Sequence, residues 1–337
     1  MTAIHTVAPR TWRRDLLGGA WRRNTPLAAL VLAMVALIGV ALVGLVLDPR
    51  VITGAPAWMK PLKFAISVAV YGATLLWMLT FVPDRPRLVA ALSWGLFLGF
   101  SFELVLIVAQ VLRGTTSHFN QSTLIDAAVW TAMGATITLM WLLNAVVAVL
   151  LLRRRFAPGP VLWGVRLGLI AALIGMAVAF LMTQPTPDQL AVMEAGGSSP
   201  IIGAHAVGVE DGGPGLPVVG WSTTGGDLRV AHFVGLHALQ VLPLVGFALA
   251  RRGPAWLTMR DRSLIVGIAG LAWIGLTVVL TWQAQRGQPV IAPDGLTLAA
   301  LAGLIGLSAL AASAVVVRAR RTSVASQGCH PGLAGAR

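Results

Sequence analysis

The chain has 337 residues, 57% of them hydrophobic and 11% charged, with a formal net charge of +13. Soluble domains average roughly 45–50% apolar and about 25% charged, so a water-soluble fold of this size is excluded. The 25 basic residues stand in short clusters between apolar runs, not along one helix face or among aromatics, which argues against nucleic acid and for membrane orientation.

In chain order, residues 1–25 form a basic segment with no short apolar core and small-residue cleavage site, so the first apolar run reads as an uncleaved anchor. Trp12-Arg13-Arg14-Asp15-Leu16-Leu17 has the outline of a twin-arginine signal, but inner-side charge explains the same arginines. Apolar runs then predict eight spans near 26–47, 62–82, 88–112, 125–152, 161–182, 230–250, 263–283 and 296–317. Each is long enough to cross about 30 Å of hydrocarbon. Residues 318–337 form a basic tail holding the single cysteine, Cys329, which excludes a disulfide framework and a c-type haem attachment.

The basic residues orient these spans. With the amino terminus inside, eighteen lie on the inner side: Arg10, Arg13, Arg14, Arg22, Arg23, Arg85, Arg87, Arg153 to Arg155, Arg251, Arg252, Arg260, Arg262, Arg318, Arg320, Arg321 and Arg337. Six lie outside: Arg50, Lys60, Lys63, Arg113, Arg229 and Arg286. Every inner connection is basic, as the positive-inside rule requires. The expectation is an all-α polytopic membrane protein, an eight-helix bundle of the plasma membrane, with one domain over 26–317 and both termini cytoplasmic. Gly95/Gly99 and Gly164/Gly168 are GxxxG pairs that permit close helix approach on spans three and five.

One outer connection stands apart. Residues 183–229 are rich in Gly and Pro and carry Asp188, Glu194, Glu210, Asp211 and Asp227. Their composition predicts a mobile middle near 196–215, a solvated His205, and a final stretch from Trp221 that folds back over the helices.

Polar residues inside the spans are expensive, so they locate the candidate site. Glu103 is the one carboxylate deep in a span, and Gln110 follows nearly two turns later on the same face. Span six opens with His232, His237 and Gln240 in an arc of about 140°. The antiparallel direction of spans three and six puts Glu103 level with His237 and Gln240, which is the pattern of a shared polar seam. Arg113 and His118 follow span three, while Lys60 and Lys63 open span two on the outside. The expected site has Glu103, His118, His232 and His237 converging in the outer half, with Lys63, Gln110, Arg113 and Gln240 around them.

Three readings fit this set, and the functional expectation is the redox protein, with the transporter and the structural network as its alternatives. A polar network could simply lock helix packing, with Lys63 and the histidines neutralising Glu103. A redox protein could bind haem b or a transition metal through His118, His232 and His237, with Glu103 as ligand or proton carrier and Arg113, Lys60 or Lys63 for the haem propionates. Quinone or another membrane protein would then be the partner. A proton-coupled small-molecule transporter could use Glu103 as its titrating group. Whether the chain is an enzyme stays open between these readings. Asn120-Gln121-Ser122 fits a glycosylation sequon, Asn144 reads as interhelical glue and Asp126 as an exposed helix-start acid. HExxH, GxxxxGK[ST] and GxSxG are missing, which disfavours triad hydrolysis and nucleotide hydrolysis.

Overall fold

The computed structural model describes residues 24–328. The first basic segment, the twin-arginine outline and Cys329 lie outside the described residues. Within them the chain is helical. In order it forms α1 (Thr25–Leu47), a two-residue hairpin β1 (Val51–Ile52) and β2 (Ala55–Pro56), α2 (Met59–Leu79), α3 (Pro86–Arg113) and α4 (Leu124–Leu152). There follow α5 (Gly159–Met182), the short α6 (Pro187–Glu194), β3 (Ala206–Val207), β4 (Gly226–Asp227), α7 (Leu228–Arg252), α8 (Met259–Gln285) and α9 (Gly295–Gly328). All but α6 are long and apolar enough to cross a membrane, giving the eight candidate spans expected. The last helix runs past its expected end at 317. Arg318 to Gln327 contain neither Gly nor Pro, so nothing local stops the helix before Gly328.

The chain divides into two compact units, residues up to 151 together with 187–202, and 152–186 together with the residues from 203 onward. Each holds four of the long helices.

In the first unit, Asn24 caps α1 by accepting from the Leu27 N–H at 3.3 Å, and its amide donates to Ser93 Oγ of α3 at 2.8 Å. The buried Tyr71 hydroxyl of α2 donates to Asn144 Oδ1 of α4, while the Asn144 amide donates to its own helix at Met140 O, 2.8 Å away. Asn144 therefore joins two helices, as its position suggested. Gly95 and Gly99 of α3 face α4. A Cβ at Gly95 would stand 2.8 Å from Leu143 Cδ1, and one at Gly99 would stand 2.7 Å from Met140 Sδ.

In the second unit the contact between α5 and α7 is tighter, because backbone meets backbone. A Cβ at Gly168 would stand 2.8 Å from Ala238 O, and one at Gly175 would stand 2.7 Å from Gly235 Cα. Small residues matter here because two helices in lipid gain little from hydrophobic burial and associate by packing and hydrogen bonding. Leu167, Ala171, Ala238 and Leu242 fill the core of this contact, with Trp273 of α8 against it. The Trp273 indole donates to Val234 O at 2.8 Å.

The long connection carries side-chain hydrogen bonds that its composition does not suggest. His205 is half-buried and paired rather than fully solvated. It lies 2.6 Å from Asp211 through Nδ1, and Asp211 also accepts from the backbone N–H groups of His205 (3.1 Å) and Ala206 (2.8 Å). One carboxylate thus replaces several sheet partners for a glycine-rich backbone. Burial pushes Asp211 up, but the His205 imidazole and these N–H groups outweigh it and hold the carboxyl below the usual carboxylate range. Trp221 packs on Phe233 of α7 at 5.6 Å between ring centroids. Asp227 caps α7, accepting from the Arg229 N–H at 3.0 Å and the Ser222 N–H at 2.8 Å.

Candidate functional site

Three polar clusters account for the residues that the sequence singled out. The first lies in the first unit, where α2 and α3 meet the turn that follows α3. Glu103 is 3% exposed, about 15 Å along the axis from the Arg113 end of α3. Its Oε1 is buried and accepts no hydrogen bond. The Lys60 ammonium, in the first turn of α2, lies within electrostatic reach of Glu103. Lys60 Nζ in turn stands 3.0 Å from His118 Nδ1, and Ser117 Oγ stands 3.0 Å from the same nitrogen.

The chemistry of these groups sets the state of His118. An ammonium has three donors and no acceptor, so Nδ1 must present its lone pair to Lys60. His118 is therefore neutral with its proton on Nε2. The ring is enclosed by Phe64 at 5.9 Å, Phe119 at 6.1 Å and Trp130 at 5.6 Å between centroids. Local backbone enforces this placement. Gly114 ends α3 in the left-handed region at φ 74°, and Phe119 also has a positive φ of 64°. The turn is pinned from its far side by Gln121 N–H to Pro200 O at 2.7 Å and Ile202 N–H to Phe119 O at 2.9 Å.

The second cluster is separate from Glu103 and uses two residues expected beside it. Gln110 is 1% exposed, and its amide donates to Asp126 Oδ1 at 2.9 Å. Arg113 donates to Gln110 Oε1 at 2.5 Å and pairs with Asp126 at 2.7 Å. Thr123 completes the cluster by donating to Asp126 Oδ2 at 2.7 Å. Asp126 is thus no exposed helix-start acid. It is 4% exposed, because the guanidinium and the amide of α3 compensate its burial. Asn120 is likewise committed. At 1% exposure its amide donates to Thr115 Oγ1 at 2.9 Å, so the sequon serves the turn rather than presenting an acceptor to an outside enzyme.

The third cluster belongs to the second unit. His232 Nδ1 stands 2.8 Å from Gly175 O, so Nδ1 carries a proton and, in the neutral ring, Nε2 the lone pair. His237 packs on Phe233 at 4.1 Å between centroids and is hydrogen-bonded by Gln240. Among the described residues no group of three or more His, Cys, Asp and Glu is placed to hold a metal ion.

Lys60 is the residue whose role at the site the sequence underweighted. Its signal was present, since Lys60 and Phe64 share one face of α2 at i and i+4 and both meet His118. Lys63 opens the same helix and is not without a partner. No family model matches the chain, and neither a curated protein nor a solved structure matches it.

Proposed function

We propose that the chain is a proton-coupled transporter of the plasma membrane, crossing the bilayer eight times with both ends in the cytoplasm, and that Glu103 is its proton carrier. The orientation rests on the surplus of basic residues on one set of connections, eighteen against six. The carrier role rests on one observation, the buried Oε1 of Glu103 that accepts no hydrogen bond. A carboxylate kept only for packing would have both oxygens satisfied, because an orphaned buried polar atom costs about 1–3 kcal/mol. A carboxyl group that repeatedly gains and loses a proton needs an oxygen left open for it.

The surroundings suit this work. Lys60 supplies a counter-charge to the ionised carboxylate. His118 lies beyond Lys60 with a lone pair on one nitrogen and a proton on the other, the form in which an imidazole passes a proton along. The test is proton uptake into liposomes under an imposed membrane potential. Uptake by the wild-type protein, abolished in a folded Glu103→Gln variant, is the expected result. A wild-type protein that moves no protons, or a variant that moves them equally, overturns the reading.

A second reading, a redox protein with haem b or a transition metal and quinone as its membrane partner, is favoured by His232. Its Nδ1–H bond to Gly175 O leaves Nε2 as the lone pair, the orientation in which imidazoles ligate metals. A Soret band or stoichiometric metal in the purified protein, lost in His232→Ala, would support it. A colourless, metal-free protein ends it.

A further inference from the structure

The α7–α8 turn and the last turns of α9, all in the second unit, enclose an open pocket of about 510 Å³ lined by Ala255, Trp256, Arg320, Ser323 and Val324. The Arg320 guanidinium lies 5.1 Å from the Trp256 ring centroid. Its neighbours are engaged differently. Arg318 is paired with Asp261 at 2.5 Å, and Arg262 donates to the carbonyls of Ala250, Gly253, Pro254 and Leu257 at 2.7–3.1 Å. Among the described residues Arg320 has no carboxylate partner, so its donors are available at the mouth of the pocket.

The charge around the pocket has one sign. Arg251, Arg252, Arg260, Arg320 and Arg321 are exposed on this side of the unit, and the one acid among them, Asp261, is already paired. Leading to the pocket is an apolar stripe on α9. Leu310, Val317 and Val324 recur every seven residues with exposures of 70%, 48% and 70%, and Arg320 lies within about 60° of that stripe. A phosphate at Arg320 would therefore stand at the end of a groove for hydrocarbon chains. Trp256 supplies the amphipathic ring that membrane interfaces favour.

We infer that this pocket binds the headgroup of an anionic phospholipid, phosphate on Arg320 and acyl chains along Leu310 and Val317. In the proposed orientation the site faces the cytoplasmic leaflet, where basic pockets of this kind meet anionic lipid. The inference rests on the membrane reading and not on proton transport, so the two fail separately.

The test uses the full chain in detergent, with phosphatidylglycerol or phosphatidylcholine added and bound lipid counted by native mass spectrometry. The wild type should retain phosphatidylglycerol and not phosphatidylcholine. Arg320→Gln should weaken retention about fivefold, the factor one arginine contributes near an anionic surface. Trp256→Leu should weaken it in the same direction, and Arg252→Gln, a basic neighbour that does not line the pocket, should weaken it less than Arg320→Gln. Equal loss in Arg252→Gln would mean diffuse attraction and overturn the site. Displacement by millimolar inorganic phosphate would mean a free-anion site and overturn the lipid assignment. Proton uptake should be the same in Arg320→Gln and wild type, so loss of lipid with intact uptake separates this site from Glu103.

Discussion

Lys60 and His118 are joined by a hydrogen bond, Nζ to Nδ1 at 3.0 Å, between residues 58 positions apart. Because the ammonium only donates, the bond fixes which imidazole nitrogen is protonated. Nitrogen-15 spectra of histidine-labelled protein should show His118 neutral, with Nε2 protonated and Nδ1 bare. Lys60→Met should let the proton redistribute between the two nitrogens. An unchanged His118 spectrum in that variant would mean that Ser117 alone sets the tautomer.

Glu103 yields a prediction about stability with an unusual sign. Removing a buried carboxylate generally destabilises when it breaks a satisfied pair. Here Oε1 has no hydrogen-bonding partner to lose. Glu103→Leu should therefore leave the thermal midpoint unchanged or raise it, by a stability increment of about 1–2 kcal/mol, while abolishing proton uptake. A loss of several kcal/mol would show that the carboxylate serves helix packing.

The glycines of α5 differ in kind from those of α4. At Gly175 a methyl group would meet the backbone of Gly235, which has no room to move, so Gly175→Ala should cost about 1–3 kcal/mol. At Gly134 of α4 a Cβ meets nothing within 4 Å, and Gly134→Ala should be neutral or stabilise by up to about 1 kcal/mol through helix propensity. Thermal melts of the two variants in the same detergent decide the comparison.

The Asp211 lock makes the long connection pH-dependent. The native pKa lies below the ordinary value, so the contribution is complete above about pH 4–5 and is lost as pH falls toward the native pKa. Amide exchange at His205 and Ala206, whose N–H groups Asp211 accepts, should therefore be protected at pH 7 and accelerate on acidification beyond the intrinsic trend. Asp211→Asn should bring faster exchange at neutral pH. Equal protection in wild type and variant would mean that the β3–β4 pairing holds the segment alone.

Reporter fusions test the orientation. Fusions at residues 90, 157, 255 and 325 should read cytoplasmic, and those at 118 and 205 external. One reversed position in the middle of the chain would remove the inside–outside assignment of the connections on both sides of it.

Hydropathy and punctuation were enough to locate the eight long helices, though not the short α6 or the end of α9. Span five was expected at 161–182 and α5 runs Gly159–Met182, because an apolar run bounded by Pro158, Pro160 and a polar stretch leaves one helical solution. The cost of polar atoms in hydrocarbon also marked Glu103, Asn144 and His232 as residues to explain. Partners were another matter. Asp126 looked like a helix-start acid until α3 brought Gln110 and Arg113 to it, and His205 looked solvated until Asp211 closed on it. Lys60 became the partner of His118 only when the α3–α4 turn folded onto α2. A hydropathy profile cannot contain such pairings, since a helix face apolar enough for lipid is equally apolar enough for another helix. Which faces meet depends on fits such as Gly175 against Gly235, a property of two surfaces in contact and not of either segment alone.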